Sequence, residues 1–216
     1  MKLTDIREQL SPEMQELSTK LLNLANASWQ TLRKSTEVTQ ELAKDPFTEP
    51  AKNQAAIAEL LIILLHTCDR IASAAFQATV PEQTAADLHG AFMTALVGAT
   101  VPTFVQAACP DEDEDEQEET QANLLHLYNA RAIQYGFFPL RSGKAEQEHE
   151  LLFTLAGIRL AEACECPENT EVILHGIEVV INALTTLRTK LPLREAVGRM
   201  IAGTRPEKRG TRNAEG

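Results

Sequence analysis

One run of sequence constrains the fold more than any other: six large aliphatic residues, Leu60 to Leu65, continue directly into His66, Asp69 and Arg70. The run belongs to a helical pattern from about Pro50 to Ala78 that is apolar around most of its circumference. A helix that is apolar on all sides must be covered on all sides, so this helix is predicted at the centre of the fold. The three ionisable residues then lie at the edge of a buried helix, where charged groups need partners or a ligand.

The remaining chain repeats apolar residues every three or four positions and shows no alternation typical of strands. This pattern predicts an all-α protein, an irregular bundle of six to seven mostly antiparallel helices, because the connections are short and no repeat of constant period occurs. The other helices are expected at about 11–45, 79–109, 118–137, 145–165, from 167 onward, and 192–203. Ser11 is the predicted N-cap of the first helix. Pro102 predicts a kink or break near Ala99 to Val101, because proline lacks a backbone donor.

Two further features concern how the helices pack. The third predicted helix contains small residues that are expected to let a neighbouring helix approach closely: Gly90, Ala91, Ala95, Gly98 and Ala99. The single tryptophan, Trp29, lies beside the clearest part of the apolar seam of the first helix. Both a place in the core and a place in an interface fit Trp29, since tryptophan is frequent at interface hot spots.

The charge of the chain is −11 overall and is unevenly distributed. Asp111 to Glu119 carries eight negative charges and is predicted to be a mobile acidic loop, spanning 110–119, that keeps the chain soluble or docks a basic partner or a cation. Residues 204–216 form a basic tail that is predicted to be disordered. Residues 1–203 are therefore expected to form a single helical domain, with a division at the acidic loop as the alternative.

Polar residues on the second and fourth predicted helices supply a candidate site. On the second helix, a polar line at helical spacing runs from Glu59 to Gln77, and His89 of the third helix is expected to reach the same region. The candidate ligand-binding residues are His66, Asp69, Arg70, Tyr128, Asn129, Arg131 and Tyr135. One interpretation is an internal network that fixes helix register, with Asp69 bridging to an arginine. The other is a pocket for a small anionic or polar ligand, with Arg70 and Arg131 as anchors and His66 as a titratable group.

No motif identifies a reaction, so the catalytic residues are unknown and an enzymatic role is not favoured. The chain has neither a G-x-S-x-G elbow nor a glycine-rich phosphate loop. Cys164 and Cys166 are too close in sequence for most metal sites and lack a second pair, while Glu146 and His149 give the sole match to a di-metal helix pattern. We therefore expect no metal and no cofactor.

Composition also bears on location and partners. The N-terminus lacks the apolar core of a secretory signal, the longest apolar run is too short to span a bilayer, and the four cysteines show no disulfide framework. A cytoplasmic protein without membrane contact is expected. Nucleic acid is expected to make at most a weak contact with the basic tail. The favoured function is a non-catalytic helical binding protein (adaptor, assembly factor or regulatory subunit) that contacts a protein partner or forms a homo-oligomer. The alternative is a small-ligand-binding or enzymatic bundle that uses the internal site.

Overall fold

A computed structural model describes the backbone of residues 3–136 and 145–203 and the side chains of residues 12–136 and 151–203. Within these ranges the chain forms eight α-helices and no strand, which confirms the all-α prediction with one helix more than expected. The helices are α1 Leu3–Arg33, α2 Thr36–Lys44, α3 Glu49–Gln77, α4 Glu82–Ala108, α5 Glu114–Gly136, α6 Ala145–Ala163, α7 Thr170–Lys190 and α8 Leu193–Gly203.

Helix α3 is the centre of the bundle, as its all-round apolar sequence predicted. It contacts each of the seven other helices. Every residue from Ala58 to Cys68 is buried, including the polar Glu59, His66 and Thr67. Because these polar side chains are shielded from water, their hydrogen-bond partners are expected within the protein itself.

The first predicted helix is two helices. The helix α1 begins at Leu3 rather than at Ser11 and contains Pro12, and it ends at Arg33. Ser35 then adopts an extended conformation and accepts a hydrogen bond from the backbone N–H of Val38 at 3.3 Å, which caps α2. The expected single helix over 11–45 is therefore wrong, because a local cap competes with continuation of the helix. Trp29 on α1 is fully buried, so its place is in the core.

Helix α4 continues through Pro102, so the break expected there does not occur. The Thr103 hydroxyl, one residue after the proline, donates to the backbone oxygen of Ala99 at 2.7 Å. The helix packs closely against α1, but nothing lies within 4 Å of a Cβ placed at Gly90 or Gly98. The expected close approach thus involves neither glycine.

Among the described residues, two glycines, Gly157 and Gly176, lie where α6 and α7 pack closely together. A Cβ placed on Gly157 would lie 2.6 Å from the backbone oxygen of Ile173, and one on Gly176 would lie 3.3 Å from the Cα of Gly157. A side chain at Gly157 would therefore push the two helices apart.

The acidic segment is mostly helical, which corrects the predicted loop at 110–119. Helix α5 begins at Glu114, so the loop after α4 is confined to residues 109–113. Asp113 accepts a hydrogen bond from the backbone N–H of Glu116 at 3.0 Å, and the Glu116 carboxylate accepts one from the N–H of Asp113 at 3.4 Å. This reciprocal pair is a capping box, and acidic residues in a first turn also interact favourably with the helix dipole. Helices from both sides of the loop pack together, α1 with α7 and α3 with α6. The predicted disordered tail, 204–216, lies outside the described residues.

Two helices, α4 and α7, are long and apolar enough to cross a membrane by length and composition alone. The buried share of the apolar window is 50% in α4 and 39% in α7. Core helices of soluble bundles pass the same test, so this property is weak evidence for a membrane location.

Candidate functional site

Glu59 of α3 organises the contact between α3 and α5. This residue is only 3% exposed, and its carboxylate accepts three hydrogen bonds. Arg131 Nε lies 3.0 Å from each carboxylate oxygen, and the Tyr135 hydroxyl donates to Oε1 at 2.6 Å. Charge-assisted hydrogen bonds of this kind stabilise a buried carboxylate. The network interpretation of the sequence had Asp69 bridging to an arginine, whereas in the structure the partner of Arg131 is Glu59.

His66 lies next to this pair, between two tyrosines of α5. Its ring stacks on Tyr128 with centroids 4.7 Å apart and meets Tyr135 edge-on at 5.5 Å. Its Nε2 is buried and has no hydrogen-bond partner in the described part of the chain. Burial lowers the pKa of His66 to about 4, although a hydrogen bond with the backbone of Tyr128 partly opposes the shift. His66 is therefore neutral at pH 7, and it serves here as an aromatic packing residue with one unsatisfied nitrogen.

The remaining candidate residues diverge. The Arg70 guanidinium donates to the backbone oxygen of Tyr135, while Asp69 turns toward α4 and bonds His89, with Oδ1 and Nε2 2.8 Å apart. The expected reach of His89 toward this region is thus confirmed. The hydrogen bond to Asp69 raises the pKa of His89, because it favours the protonated ring. Asn129 is exposed on the outer side of α5 and contributes nothing to the cluster.

A cavity of about 10 Å³ lies beside His66, and its lining residues are Ile63, His66, Thr67, Arg70, Tyr135, Leu152, Phe153, Leu184 and Arg188. This volume holds about one water molecule, whereas sites for small ligands measure a few hundred Å³. Of the seven candidate residues, three line the cavity, and Asp69, Tyr128, Asn129 and Arg131 do not. The candidate residues are thus brought together mainly by pairing with one another and with Glu59.

Sequence reasoning missed two polar residues at this cavity, Thr67 and Arg188. Thr67 lies inside the apolar run of α3, where its hydroxyl donates to the backbone oxygen of Ile63 at 2.9 Å. Arg188 comes from α7, and nothing in its surroundings in the sequence links it to α3. Glu59, in contrast, belonged to the polar line on α3, so its helical spacing from His66 and Arg70 already indicated that it lies on the same side of the helix as they do.

The described residues contain no group of three or more histidine, cysteine or acidic side chains placed to hold a metal ion. Cys164 and Cys166 are buried and free, as is Cys68, and Cys109 is free and half-buried. Burial raises the pKa of Cys68 and disfavours its thiolate. A buried thiol of this kind is a packing group rather than a nucleophile.

The fold and the paired side chains define an all-α bundle in which Glu59 of α3 is joined to Arg131 and Tyr135 of α5. Comparison of the chain with known protein families, with characterised proteins and with solved structures finds no match. The function of the protein must therefore be inferred from its own residues.

Proposed function

We propose that this chain is a non-catalytic cytoplasmic binding protein, an adaptor, assembly factor or regulatory subunit, that contacts a partner protein through α5. The observation that carries the proposal is the peripheral position of this helix. Of its 23 residues, only Leu124 and Tyr135 are buried by the described part of the chain. The contacts of Arg131 and Tyr135 with Glu59 hold the inner side of α5 to α3, which leaves the opposite side open.

The open side of α5 carries exposed aliphatic residues at helical spacing. Leu125 is 38% exposed and Ile133 is 69% exposed, with the exposed Asn129 midway between them. Residues four and eight positions apart lie on one side of a helix, so the three form a continuous strip, the α5 outer surface. Aliphatic residues aligned in this way are typical of a helix that docks into a groove of another protein.

The first half of α5 adds negative charge to the same helix. Its exposed acidic residues are Glu114, Asp115, Glu116, Glu118 and Glu119. A partner with a basic surface beside an apolar groove fits this combination, because opposite charges speed association and select the orientation of the complex. Binding of such a partner should weaken as salt rises, since these charges are exposed and therefore screened.

Two further observations support this choice over an internal ligand site. The cavity at His66 is too small for a ligand, and Arg70, which lines it, is bonded to the backbone of Tyr135. The four cysteines are free, which supports a reducing compartment such as the cytoplasm.

The test compares the double variant Leu125→Glu/Ile133→Glu with the control Leu174→Glu, which alters a 50% exposed leucine on α7. Each protein is purified, its helix content is checked by circular dichroism, and it is used at low salt to capture and cross-link partners from lysate of the source cells. We expect a partner that the wild type and the control retain and the double variant loses. A protein that light scattering shows to be a strict monomer, and that cross-links no partner, would contradict the proposal.

A further inference from the structure

Two cysteines that play no part in the proposed function lie at the end of α6. Cys164 comes directly after the last residue of the helix, and Cys166 follows two positions later. Both are buried and free, with exposures of 1% and 7%. Their side chains are hydrogen-bonded to each other, so the two sulfur atoms are neighbours in the fold. We call these two residues the thiol pair.

The backbone at the end of α6 explains why the two thiols meet. The N–H of Cys166 donates to the backbone oxygen of Ala161 at 2.9 Å. The N–H of Glu165 donates to the backbone oxygen of Glu162, also at 2.9 Å. These two bonds make a Schellman motif, in which the chain turns back over the last turn of the helix. Because of this turn, the Cα atoms of the thiol pair are expected within the about 4.4–6.8 Å that a disulfide spans.

The residue between the two cysteines, Glu165, occupies a position that glycine usually fills in this motif. Its φ is 59°, and it is the one non-glycine residue with a positive φ in the described part of the chain. Its carboxylate lies 3.1 Å from Nζ of Lys52, a lysine of α3 that is only 6% exposed. The positive charge of Lys52 favours the thiolate form of both cysteines. Backbone strain of this kind is common at functional sites, so the segment is a candidate for one.

Within the thiol pair, Cys166 ionises more readily. The hydrogen bond with Cys164 lowers the pKa of Cys166 and raises that of Cys164. Lys44 and Lys52 also act to lower the pKa of Cys166, whereas burial and the Glu41 carboxylate oppose this shift. The residues on both sides of Cys166 along the chain are exposed, so a small oxidant can reach it with little movement. Since the thiolate is the nucleophilic form, Cys166 is the thiol expected to react first.

We propose that Cys164 and Cys166 form a reversible disulfide when the chain meets hydrogen peroxide, which makes the end of α6 a redox-sensitive site. The Cys166 thiolate attacks one peroxide oxygen, so that an S–O bond forms, the O–O bond breaks and hydroxide leaves. The Cys164 sulfur then attacks the Cys166 sulfur, the S–S bond forms, and the S–O oxygen leaves as hydroxide. One hydroxide takes the Cys166 proton lost on ionisation and the other takes the Cys164 proton, which gives two water molecules.

The electrons balance, because the two sulfurs together lose two electrons and the two peroxide oxygens gain them. A dithiol reductant returns the pair to its thiol form by thiol–disulfide exchange. In a reducing compartment a disulfide of this kind is transient, as those of redox-sensing proteins are. The proposal is independent of the α5 outer surface.

The test treats the full-length chain with hydrogen peroxide and follows its intact mass, with free glutathione as a check that the peroxide is active. We expect the mass to fall by two hydrogen atoms per chain, and peptide mapping to join Cys164 to Cys166. Dithiothreitol should restore the mass, and circular dichroism should show the helix content unchanged.

Three variants assign the reaction to the thiol pair. Cys164→Ser should form no disulfide within the chain and should accumulate sulfenic acid on Cys166, which dimedone traps. Cys166→Ser should leave Cys164 largely unreacted, because burial and the lost partner disfavour attack by its thiol. Cys109→Ser is the matched control, since it removes a partly exposed cysteine outside the pair and should react as the wild type does.

Several results would overturn the proposal. One is a wild-type mass that stays unchanged at a peroxide concentration that oxidises the glutathione. Another is a disulfide that joins two chains or that involves Cys68 or Cys109. Dimedone labelling of Cys164 in Cys166→Ser, without labelling of Cys166 in Cys164→Ser, would show that the order of reaction is wrong. A mass that rises by whole oxygen atoms without any loss of hydrogen would show that the two sulfurs cannot join.

Discussion

Glu59 is the residue on which the attachment of α5 to the bundle depends most. Its removal in Glu59→Ala leaves Arg131 Nε and the Tyr135 hydroxyl without their acceptor. Breaking a buried ion pair by removing one partner costs about 3 kcal/mol. We therefore expect the free energy of unfolding to fall by about 3 kcal/mol, measured by urea denaturation.

Two comparisons separate this effect from general sensitivity to mutation. The control Lys20→Ala removes an exposed ion pair with Glu16 and should change stability little. The double variant Glu59→Leu/Arg131→Leu should recover much of the loss, because replacing both charges leaves no unpaired buried charge. A Glu59→Ala protein as stable as the control would show that this pair does not stabilise the fold.

His66 makes stability depend on pH. Burial lowers its pKa from 6.5 to about 4 in the folded protein, so the unfolded chain binds the proton more tightly. The stability that the neutral ring provides is fully present above pH 6.5 and is lost as the pH falls toward 4. At pH 5 the loss from this one residue should be about 2 kcal/mol.

Urea denaturation at pH 7 and pH 5 checks this expectation with His66→Phe, which keeps an aromatic ring against Tyr128. The variant should lose less stability between the two pH values than the wild type does. The control His126→Phe changes a histidine that is exposed on α5 and should keep the wild-type dependence. Equal pH dependence in the wild type and His66→Phe would contradict the role assigned to His66.

The pairing of these residues shows where prediction from the sequence ends. Spacing alone indicated that Glu59 belongs to a polar line on α3, that Asp69 lies one step round from this line, and that Arg131 belongs to a matching polar group on α5. The two carboxylates are ten residues apart, which is about 15 Å along a helix. Which of them meets Arg131 depends on how α5 is positioned along α3, and that position is set by packing contacts from distant parts of the chain.

At the scale of helices, the crossing of α6 and α7 depends on Gly157. In Gly157→Ala the new methyl group would lie 2.6 Å from a backbone oxygen of Ile173 and 2.7 Å from a side-chain carbon of Ile177. A backbone atom cannot yield as a flexible side chain can, so the helices must separate. Overpacking of this kind costs about 1–3 kcal/mol. The higher helix propensity of alanine offsets about 1 kcal/mol of that cost.

We expect a net loss of stability in Gly157→Ala, seen as a lower midpoint in thermal or urea denaturation. Gly198→Ala is the matched control on α8, where nothing lies within 4 Å of the new Cβ. That variant should be as stable as the wild type or more stable, because alanine favours a helix. A stabilised Gly157→Ala protein would show that α6 and α7 can separate without loss.

The ends of helices were predicted less well than their existence. The capping residues Ser35 and Asp113 are both present in the sequence as ordinary local signals, a serine before an acidic first turn and an aspartate three residues before Glu116. In the acidic segment, charge repulsion predicted a loop, but the capping box and the helix dipole favour a helix. Local hydrogen bonds thus outweighed the composition on which the prediction rested.

At the scale of the whole molecule, the apolar pattern predicted the fold class and the central position of α3, because both follow from how much apolar surface must be covered. It did not predict that α5 would be peripheral. The moderately apolar sequence of α5 fits either a core helix or a surface helix. Which of the two it becomes depends on how many other helices pack against it. The proposed interface is therefore visible only in the assembled bundle.

The contacts between helices on both sides of the acidic loop predict that the chain unfolds as one unit. Trp29 on α1 is the single tryptophan and is fully buried, so its fluorescence reports the first half of the chain. Helices α1 and α7 pack together, so loss of the second half should expose Trp29 at the same time. We expect urea curves from fluorescence and from circular dichroism to coincide. Gly157→Ala should shift both midpoints equally, although its own site is on α6. A fluorescence midpoint that stays at the wild-type value while the circular dichroism midpoint falls would indicate two independent units divided at the acidic loop.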